Sequence, residues 1–159
     1  MNTLPSSIAD FILGNQLASI CFVDDQHLPY CITCFYILHE DSITLVIKSS
    51  PGTKHEAFTA SGIKVAGTIQ SADKKVLWAK GIQFTGTIIG EEDLSEAEKK
   101  AYLKGFKLAS LVEGYLWGIK LEWIKFTDNK IALGHKTTWK LLVLLVFWNG
   151  WLPWLALLH

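Results

Sequence analysis

The chain has 159 residues, which is the length of one domain and enough to bury a hydrophobic core without disulfides or a metal. Its 15 Lys and Arg residues balance its 15 Asp and Glu residues, so the formal charge is zero. This balance excludes the basic excess that is typical of a protein whose main partner is nucleic acid.

The first 50 residues predict a helix followed by three strands. Ser6 or Ser7 can cap a helix that ends near Gly14. Strands are predicted over 18–24, 30–38 and 42–49. The polar stretch DDQHLP between the first two is typical of a hairpin loop.

The rest of the chain continues this pattern. A short helix is predicted over 52–61, and a longer one over 91–106 begins with Asp93 as the cap and Glu96 three residues later, as in a capping box. Further strands are predicted over 63–70, 75–90 and the two halves of 114–134, which a turn at Asp128-Asn129 divides. Closely spaced strands joined by hairpin-length turns favour an antiparallel barrel over a parallel sheet.

The stretch KSSPGTKHEAF, residues 48–58, joins the third strand to the short helix and has two interpretations. In the first it is a plain helix start. Thr53 would be the cap and Glu56, three residues later, would complete a capping box. This interpretation requires no ligand.

The second interpretation is a phosphate site. Lys54 and His55 fall in the first helical turn, where unpaired N–H groups already carry partial positive charge and cations are unfavourable unless an anion binds there. Gly52 would let the backbone approach a phosphate closely, and Ser49 and Ser50 add hydroxyl donors. The residues alone leave the cap and the phosphate site open.

The order of elements over 18–70 resembles the opening of the FMN-binding split-barrel superfamily, the pyridoxamine 5′-phosphate oxidase-like proteins. Further on, the segments GIQFTGTI (81–88), KKAYLKGF (99–106) and IKFTDNKIALGHKTTW (124–139) are similar to the uncharacterised YhbP-like branch. The resemblance covers roughly residues 4–139. It implies a mainly β fold with short helices, a six-stranded antiparallel split barrel, in a homodimer with FMN at the subunit interface.

The resemblance also implies where the cofactor lies. The positions that match the superfamily's cofactor-binding residues are Lys48, Ser49, Thr53, Lys54 and His55 for the phosphate, Thr33, Cys34 and Phe35 for the strand beside the isoalloxazine ring, and Gln83 for a further flavin contact.

One departure bears on the activity. Pyridoxamine phosphate oxidases carry an R-x-V-L-L-K pattern on the second strand, whereas this strand reads YCITCFYIL, so that reaction is not expected. The prediction is an FMN-dependent oxidoreductase acting on an unknown small substrate, and no side chain is identified as catalytic. The alternative is a non-catalytic split barrel that binds flavin or haem, and haem would require an axial ligand such as a histidine facing the groove.

The three cysteines are Cys21, Cys31 and Cys34. An odd, small number without a secretory signal favours a reducing cytosol, and the expected location is cytoplasmic. Cys31 and Cys34 form a C-x-x-C pattern, but a spacing of three on a strand places them on opposite faces. Packed free thiols are therefore favoured over a disulfide or a metal site.

The C-terminal stretch LLVLLVFWNGWLPWLALL, residues 141–158, is uncharged and just long enough to span a membrane. Asn149, Gly150 and Pro153 would interrupt a single helix. We therefore predict a split-barrel domain over 1–139 and an apolar tail over 140–159 that packs against the barrel or the dimer. Membrane association through the tail is the alternative.

Overall fold

The structure is a computed structural model that describes residues 3–24, 26–72 and 75–142. Within these residues, seven antiparallel strands form one sheet in the order β3-β2-β1-β4-β5-β6-β7. Their bounds are β1 (Leu17–Val23), β2 (Pro29–His39), β3 (Thr44–Ser49), β4 (Lys64–Gln70), β5 (Lys80–Ile89), β6 (Tyr115–Asp128) and β7 (Lys136–Lys140). Because β3 also pairs with β6, six strands close into a barrel. The predicted six-stranded antiparallel split barrel is confirmed.

The core fills the barrel because the strands alternate. Along β1 and β4 every second side chain is buried, which places Ile20, Phe22 and Ile69 inside. Trp117 from β6 is also fully buried among them. The Phe84 side chain packs closely over the backbone of β4 at Gly67, where an added Cβ would lie 2.3 Å from the Phe84 ring. A side chain at this position would therefore displace the core.

The two α-helices begin at positions other than the predicted ones. Helix α1 spans Ser6–Leu13, and no side chain caps it, so the prediction of a Ser6 or Ser7 cap was wrong. The carbonyl of Pro5 starts the helix by accepting the N–H groups of Ile8 and Ala9, both at 3.0 Å. The extended backbone of Pro5 is therefore sufficient to set the helix start.

Helix α2 spans Glu96–Gly105, and its cap is Ser95 rather than the predicted Asp93. The capping box joins Ser95 to Glu98, whose carboxylate accepts the Ser95 N–H at 2.8 Å. Glu98 is buried and also accepts the Ser42 hydroxyl at 2.7 Å. Burial alone would raise the pKa of Glu98, but the hydrogen bonds from Ser42 and Ser95 outweigh it and lower that pKa.

Several predicted boundaries also moved. The residues after β3 form a short 3-10 helix, Lys54–Phe58, in place of a helix over 52–61. A second 3-10 helix, Val76–Trp78, precedes β5, so Trp78 is exposed rather than on a strand. The strand that follows β6 is β7, beyond a loop over 129–135, and not the second half of 114–134.

The predicted tail lies outside the described residues from 143 onward, as do two positions of the turn between β4 and β5. The division into a domain over 1–139 and a tail over 140–159 therefore stays a prediction. Among the described residues, no helix is both long enough and apolar enough to cross a membrane.

Candidate functional site

The turn after β3 is built from Ser50, Pro51, Gly52 and Thr53. Proline fixes the backbone at the second position of such a turn, and Gly52 adopts the left-handed conformation, with a φ of 75°, at the third. An added Cβ at Gly52 would meet nothing within 4 Å. The backbone conformation, and not the surrounding space, therefore requires glycine there.

A polar cluster of Ser49, Thr53, His55 and Trp117 lies directly behind this turn. The Trp117 indole N–H donates to Ser49 Oγ at 2.9 Å, and the same oxygen lies 2.8 Å from His55 Nε2. Thr53 Oγ1 lies 3.2 Å from that nitrogen and donates its own proton to the Ser50 carbonyl at 3.1 Å. The structure thus brings together three of the predicted phosphate-binding side chains around one imidazole nitrogen.

The protonation of His55 is shifted by its surroundings. Burial lowers the pKa of His55 below its usual value of 6.5, and the nearby Glu56 carboxylate offsets only part of this effect. The imidazole is therefore neutral at neutral pH. In this form Nε2 accepts the Ser49 hydroxyl proton when it is bare, or donates to Ser49 and Thr53 when it carries the proton.

Glu56 contacts the backbone of the turn. Its carboxylate accepts the Gly52 N–H at 2.7 Å. The predicted capping box is wrong, because Thr53 makes no capping hydrogen bond to the 3-10 helix. The Glu56 carboxylate accepts the Gly52 N–H, whereas a capping box would require it to accept the Thr53 N–H. A negatively charged group thus already sits on the turn, and it is the protein's own.

The side chains of the two lysines predicted at the phosphate make other contacts. Lys48 Nζ donates to the carbonyls of Ala109 and Val112 at 2.6 and 2.5 Å, so it closes the end of the third 3-10 helix, Lys107–Leu111. Lys54 Nζ lies 4.7 Å from the centre of the Tyr30 ring. Lys54 is exposed next to the turn, whereas Lys48 is held away from it.

The strand predicted to face the isoalloxazine ring has two different faces. Thr33 and Phe35 point outward, whereas Cys34 packs against the barrel core, with its Sγ 3.9 Å from the Ala18 carbonyl. Burial raises the pKa of the Cys34 thiol to about 12, so it stays protonated. Only the backbone of Cys34 is therefore available to a ligand on the outer face.

Phe35 borders a cavity of about 710 Å³ between β2 and the α2 segment. The Phe106 ring meets Phe35 edge-on, with centroids 5.8 Å apart, and Tyr102 and Val112 add apolar surface. Lys48 Nζ donates to the carbonyls of Ala109 and Val112, which both line this cavity, so the cavity adjoins the end of β3.

Gln83 is not part of this group. It is exposed on β5 and lines a smaller hollow of about 310 Å³ with Ser19 and Trp123. In the sheet, β1 and β4 separate β5 from β2, so Gln83 lies about 14 Å across the sheet from the strand that carries Phe35.

The cysteine prediction was also wrong. Cys21 and Cys31 form a disulfide across β1 and β2, where the strand register places them directly opposite one another. Side chains of such a pair lie close together on one face of the sheet. Cys31 and Cys34 are too far apart along one strand to pair, whereas the register of the hairpin places Cys21 opposite Cys31. Among the described residues, no cluster of three or more His, Cys, Asp or Glu side chains could hold a metal ion.

Two residues of the site were not predicted from the sequence. Trp117 is buried in the core, and its N–H also anchors Ser49 from 68 positions away. Tyr30, whose ring lies under Lys54, carries no distinguishing pattern. Only the pairing of β3 with β6, which brings Ser49 opposite Tyr115, could have indicated Trp117.

No family model matches the chain. It is 31% identical over 141 residues to a UPF0306 protein from Klebsiella pneumoniae, covering 88% of this chain and 95% of that protein. It is 32% identical over 142 residues to the UPF0306 protein YhbP of Salmonella schwarzengrund, covering 87% and 94%.

Solved structures with this fold include binding proteins for haem and FAD. A haem binding protein from Mycobacterium smegmatis has a TM-score of 0.64 at 12% identity, over 88% of this chain and 60% of that one. The FAD binding protein from the same organism has a TM-score of 0.58 at 12% identity, over 87% and 100%. The haem storage protein HutZ from Vibrio cholerae has a TM-score of 0.57 at 17% identity, over 77% and 92%.

These identities are too low to indicate more than a shared fold. The sequence relatives are close enough, over nearly their full length, to indicate the family: the chain belongs to the UPF0306 (YhbP) family.

Proposed function

We propose that the chain is an FMN-binding member of the pyridoxamine 5′-phosphate oxidase-like superfamily, with the phosphate held at the turn over 49–55. The observation that carries the proposal is the convergence of the Ser49 and Thr53 hydroxyl oxygens on His55 Nε2, at 2.8 and 3.2 Å, beside a Pro-Gly turn. A site for a phosphate ester needs several donors converging on one position, and hydroxyl, imidazole and backbone N–H groups supply them.

The fit to an anion is supported by Glu56. Its carboxylate already accepts the Gly52 N–H, so the turn binds a negatively charged oxygen in this structure. Glu56 is exposed and follows Gly52 closely in the chain, so it can leave without disturbing the core. In the proposed complex a phosphate oxygen replaces the carboxylate oxygen on Gly52, and the exposed Lys54 ammonium swings from the Tyr30 ring to the phosphate.

The apolar cavity beside Phe35 suits the ring of the same ligand. It adjoins the end of β3, it is lined mainly by apolar side chains, and its volume of about 710 Å³ lies in the range of small-molecule sites. Thr33 and Cys34 precede Phe35 on the same strand. When bound, FMN supplies electron or hydride transfer, and these residues would orient it.

A second copy of the chain is part of the proposal. Gln83 lies three strands away from Phe35 on the same sheet, so it cannot join that cavity within one subunit. In a homodimer the outer face of β5 can approach the partner's cavity. We therefore propose that Gln83 acts across the subunit interface, and that the protein is an oxidoreductase for a small substrate.

Haem is the alternative ligand, because two of the similar structures are haem proteins. An axial histidine needs a free nitrogen, and His55 Nε2 is engaged by Ser49 and Thr53. No observation favours haem over flavin at this turn. Titration with both FMN and haemin distinguishes the two ligands.

The test is a titration of the purified protein with FMN, riboflavin and haemin, followed by flavin fluorescence and visible absorption. The proposal expects FMN to bind more tightly than riboflavin, which lacks the phosphate. Lys54→Ala should weaken FMN about 10- to 150-fold, the equivalent of losing one charged hydrogen bond, and leave riboflavin unchanged. Lys100→Ala, an exposed lysine on α2, is the matched control and should change neither. Equal affinity for FMN and riboflavin, or uptake of haemin alone, would contradict the proposal.

A further inference from the structure

We propose that two neighbouring loops form a docking surface for an anionic lipid bilayer. The loops are the end of the β4–β5 connection, 75–79, and the β6–β7 connection, 129–135. They lie side by side, because the Asn129 N–H donates to the Ala79 carbonyl at 3.2 Å. Lys130 Nζ also lies 5.7 Å from the centre of the Trp78 ring. The two loops therefore present one continuous surface.

The surface exposes four large apolar side chains, which we call the loop patch. Their exposed fractions are 65% for Leu77, 50% for Trp78, 63% for Ile131 and 72% for Leu133. Single exposed leucines are ordinary on protein surfaces, but four large apolar residues on two adjacent loops form a contiguous patch. Such a patch indicates an interaction surface that is buried when its partner binds.

The exposed charged side chains on the described part of the two loops are lysines. Lys75 and Lys130 place their ammonium groups 4.9 and 5.7 Å from the Trp78 ring centre, and Lys136 is exposed at the end of the second loop. The described positions 75–79 and 129–136 contain no Asp or Glu. Asp128, just before the second loop, is buried and paired with Lys80 at 2.6 Å. Lys130 also interacts with the Asp128 carboxylate, and Lys75 and Lys136 add positive charge on the described part of the two loops.

An anionic bilayer fits the exposed apolar side chains and the lysines of the loop patch better than a second copy of the chain does. Tryptophan and lysine both combine an apolar body with a polar end, which suits the boundary between lipid headgroups and acyl chains. Acidic lipids attract lysines at the surface, while Leu77, Ile131 and Leu133 supply apolar area. A symmetric contact with a second copy would instead bring the same lysines toward each other, where like charges repel.

The position of the loop patch leaves the proposed cofactor site accessible. Strand β6 has 14 residues, from Tyr115, opposite Ser49, to Asp128, next to the patch. That strand corresponds to about 40 Å of extended chain. Docking through the patch is therefore independent of whether the turn at 49–55 binds FMN.

The test is cosedimentation of the full-length protein with vesicles of phosphatidylglycerol and phosphatidylcholine in equal parts, against vesicles of phosphatidylcholine alone. The protein should bind the anionic vesicles, and added salt should weaken binding. Leu77→Ser with Leu133→Ser should reduce the partition coefficient at least about tenfold. Lys75→Gln and Lys130→Gln should each reduce it about fivefold.

The matched control is Val23→Ser with Leu28→Ser, a pair that is 61% and 56% exposed at the end of the β1–β2 hairpin. It should leave the partition coefficient unchanged. The apolar tail over 141–158 is present in every variant, so binding that is equal in all of them would assign it to the tail and overturn the proposal. No binding to anionic vesicles, or a loop-patch variant that changes only the oligomeric state, would also overturn it.

Discussion

The hydroxyl of Ser49 joins the candidate site to the core, and its removal is the sharpest perturbation available. In Ser49→Ala the indole N–H of Trp117 loses its acceptor at 2.9 Å, and His55 Nε2 loses its partner at 2.8 Å. Trp117 is fully buried, so water cannot replace the lost acceptor without opening the barrel. A buried donor left without a partner costs about 1–3 kcal/mol. We therefore expect Ser49→Ala to lower the free energy of unfolding by about 2 kcal/mol.

Equilibrium unfolding in urea, followed by far-ultraviolet circular dichroism, measures this change. The midpoint should fall while the slope stays constant, because the native fold and the area exposed on unfolding are unchanged. Ser110→Ala is the matched control, since its hydroxyl donates to the Lys107 carbonyl on an exposed turn. That variant should stay within about 0.5 kcal/mol of the unmodified chain.

A double-mutant cycle then tests the assigned contact. Trp117→Phe removes the indole N–H, so Ser49→Ala should cost about 1 kcal/mol less in that background than in the unmodified chain. If Ser49→Ala leaves stability within about 0.5 kcal/mol of the unmodified chain, the hydroxyl does not hold Trp117 and the reasoning is refuted.

Three further predictions concern the pH dependence, the cysteines and the turn. Because the pKa of His55 is lower in the folded than in the unfolded chain, the unfolded chain binds more protons below about pH 6.5, and the free energy of unfolding falls as the pH drops through that region. In urea unfolding, His55→Gln should lose less of this free energy between about pH 7 and 5 than the unmodified chain does. An equal loss in both proteins would contradict the prediction. After reduction, mass spectrometry should show that iodoacetamide at about pH 8 alkylates Cys21 and Cys31 and spares Cys34. With a pKa of about 12, only about one in ten thousand Cys34 thiols is ionised at that pH. Reduction should also lower the free energy of unfolding by about 2–3 kcal/mol, because the disulfide spans 10 positions. Glu56→Gln keeps an acceptor for Gly52 but removes the competing charge, so FMN affinity should rise about two- to fivefold, and unchanged affinity would place the phosphate elsewhere.

The barrel could be predicted from the sequence because its signal is local. Alternating burial along β1 and β4 follows the alternating side chains of the sequence, and short polar turns mark the hairpins. The same logic misplaced the strand after β6. Ile131 and Leu133 alternate as strand residues do, but they are exposed in a loop that closes where the Asp128 N–H donates to the His135 carbonyl at 3.0 Å.

Features decided by distant partners could not be predicted in this way. The segment EEDLSEAEKK contains a second candidate capping box, Ser95 with Glu98, which overlaps the predicted pair of Asp93 and Glu96. The structure uses Ser95 and Glu98, because Glu98 finds Ser42, which is 56 positions away, while Asp93 accepts the Ser61 hydroxyl. The candidate site is similar, since Ser49 depends on an indole from β6.

The structure of the turn at 49–55 has two possible explanations, an unliganded turn that supports the core or a phosphate site. A turn without a ligand needs only an acceptor for the Gly52 N–H, and Glu56 supplies it. The cluster of Ser49, Thr53 and His55 is not needed for that purpose, so it serves either the core or a ligand. Ser49→Ala separates these roles, because an anchor for Trp117 predicts a loss of stability with FMN affinity unchanged. A phosphate site predicts that both fall, with riboflavin affinity unaffected. The comparison of FMN with riboflavin in this one variant therefore decides whether the cluster faces the barrel interior or a bound phosphate.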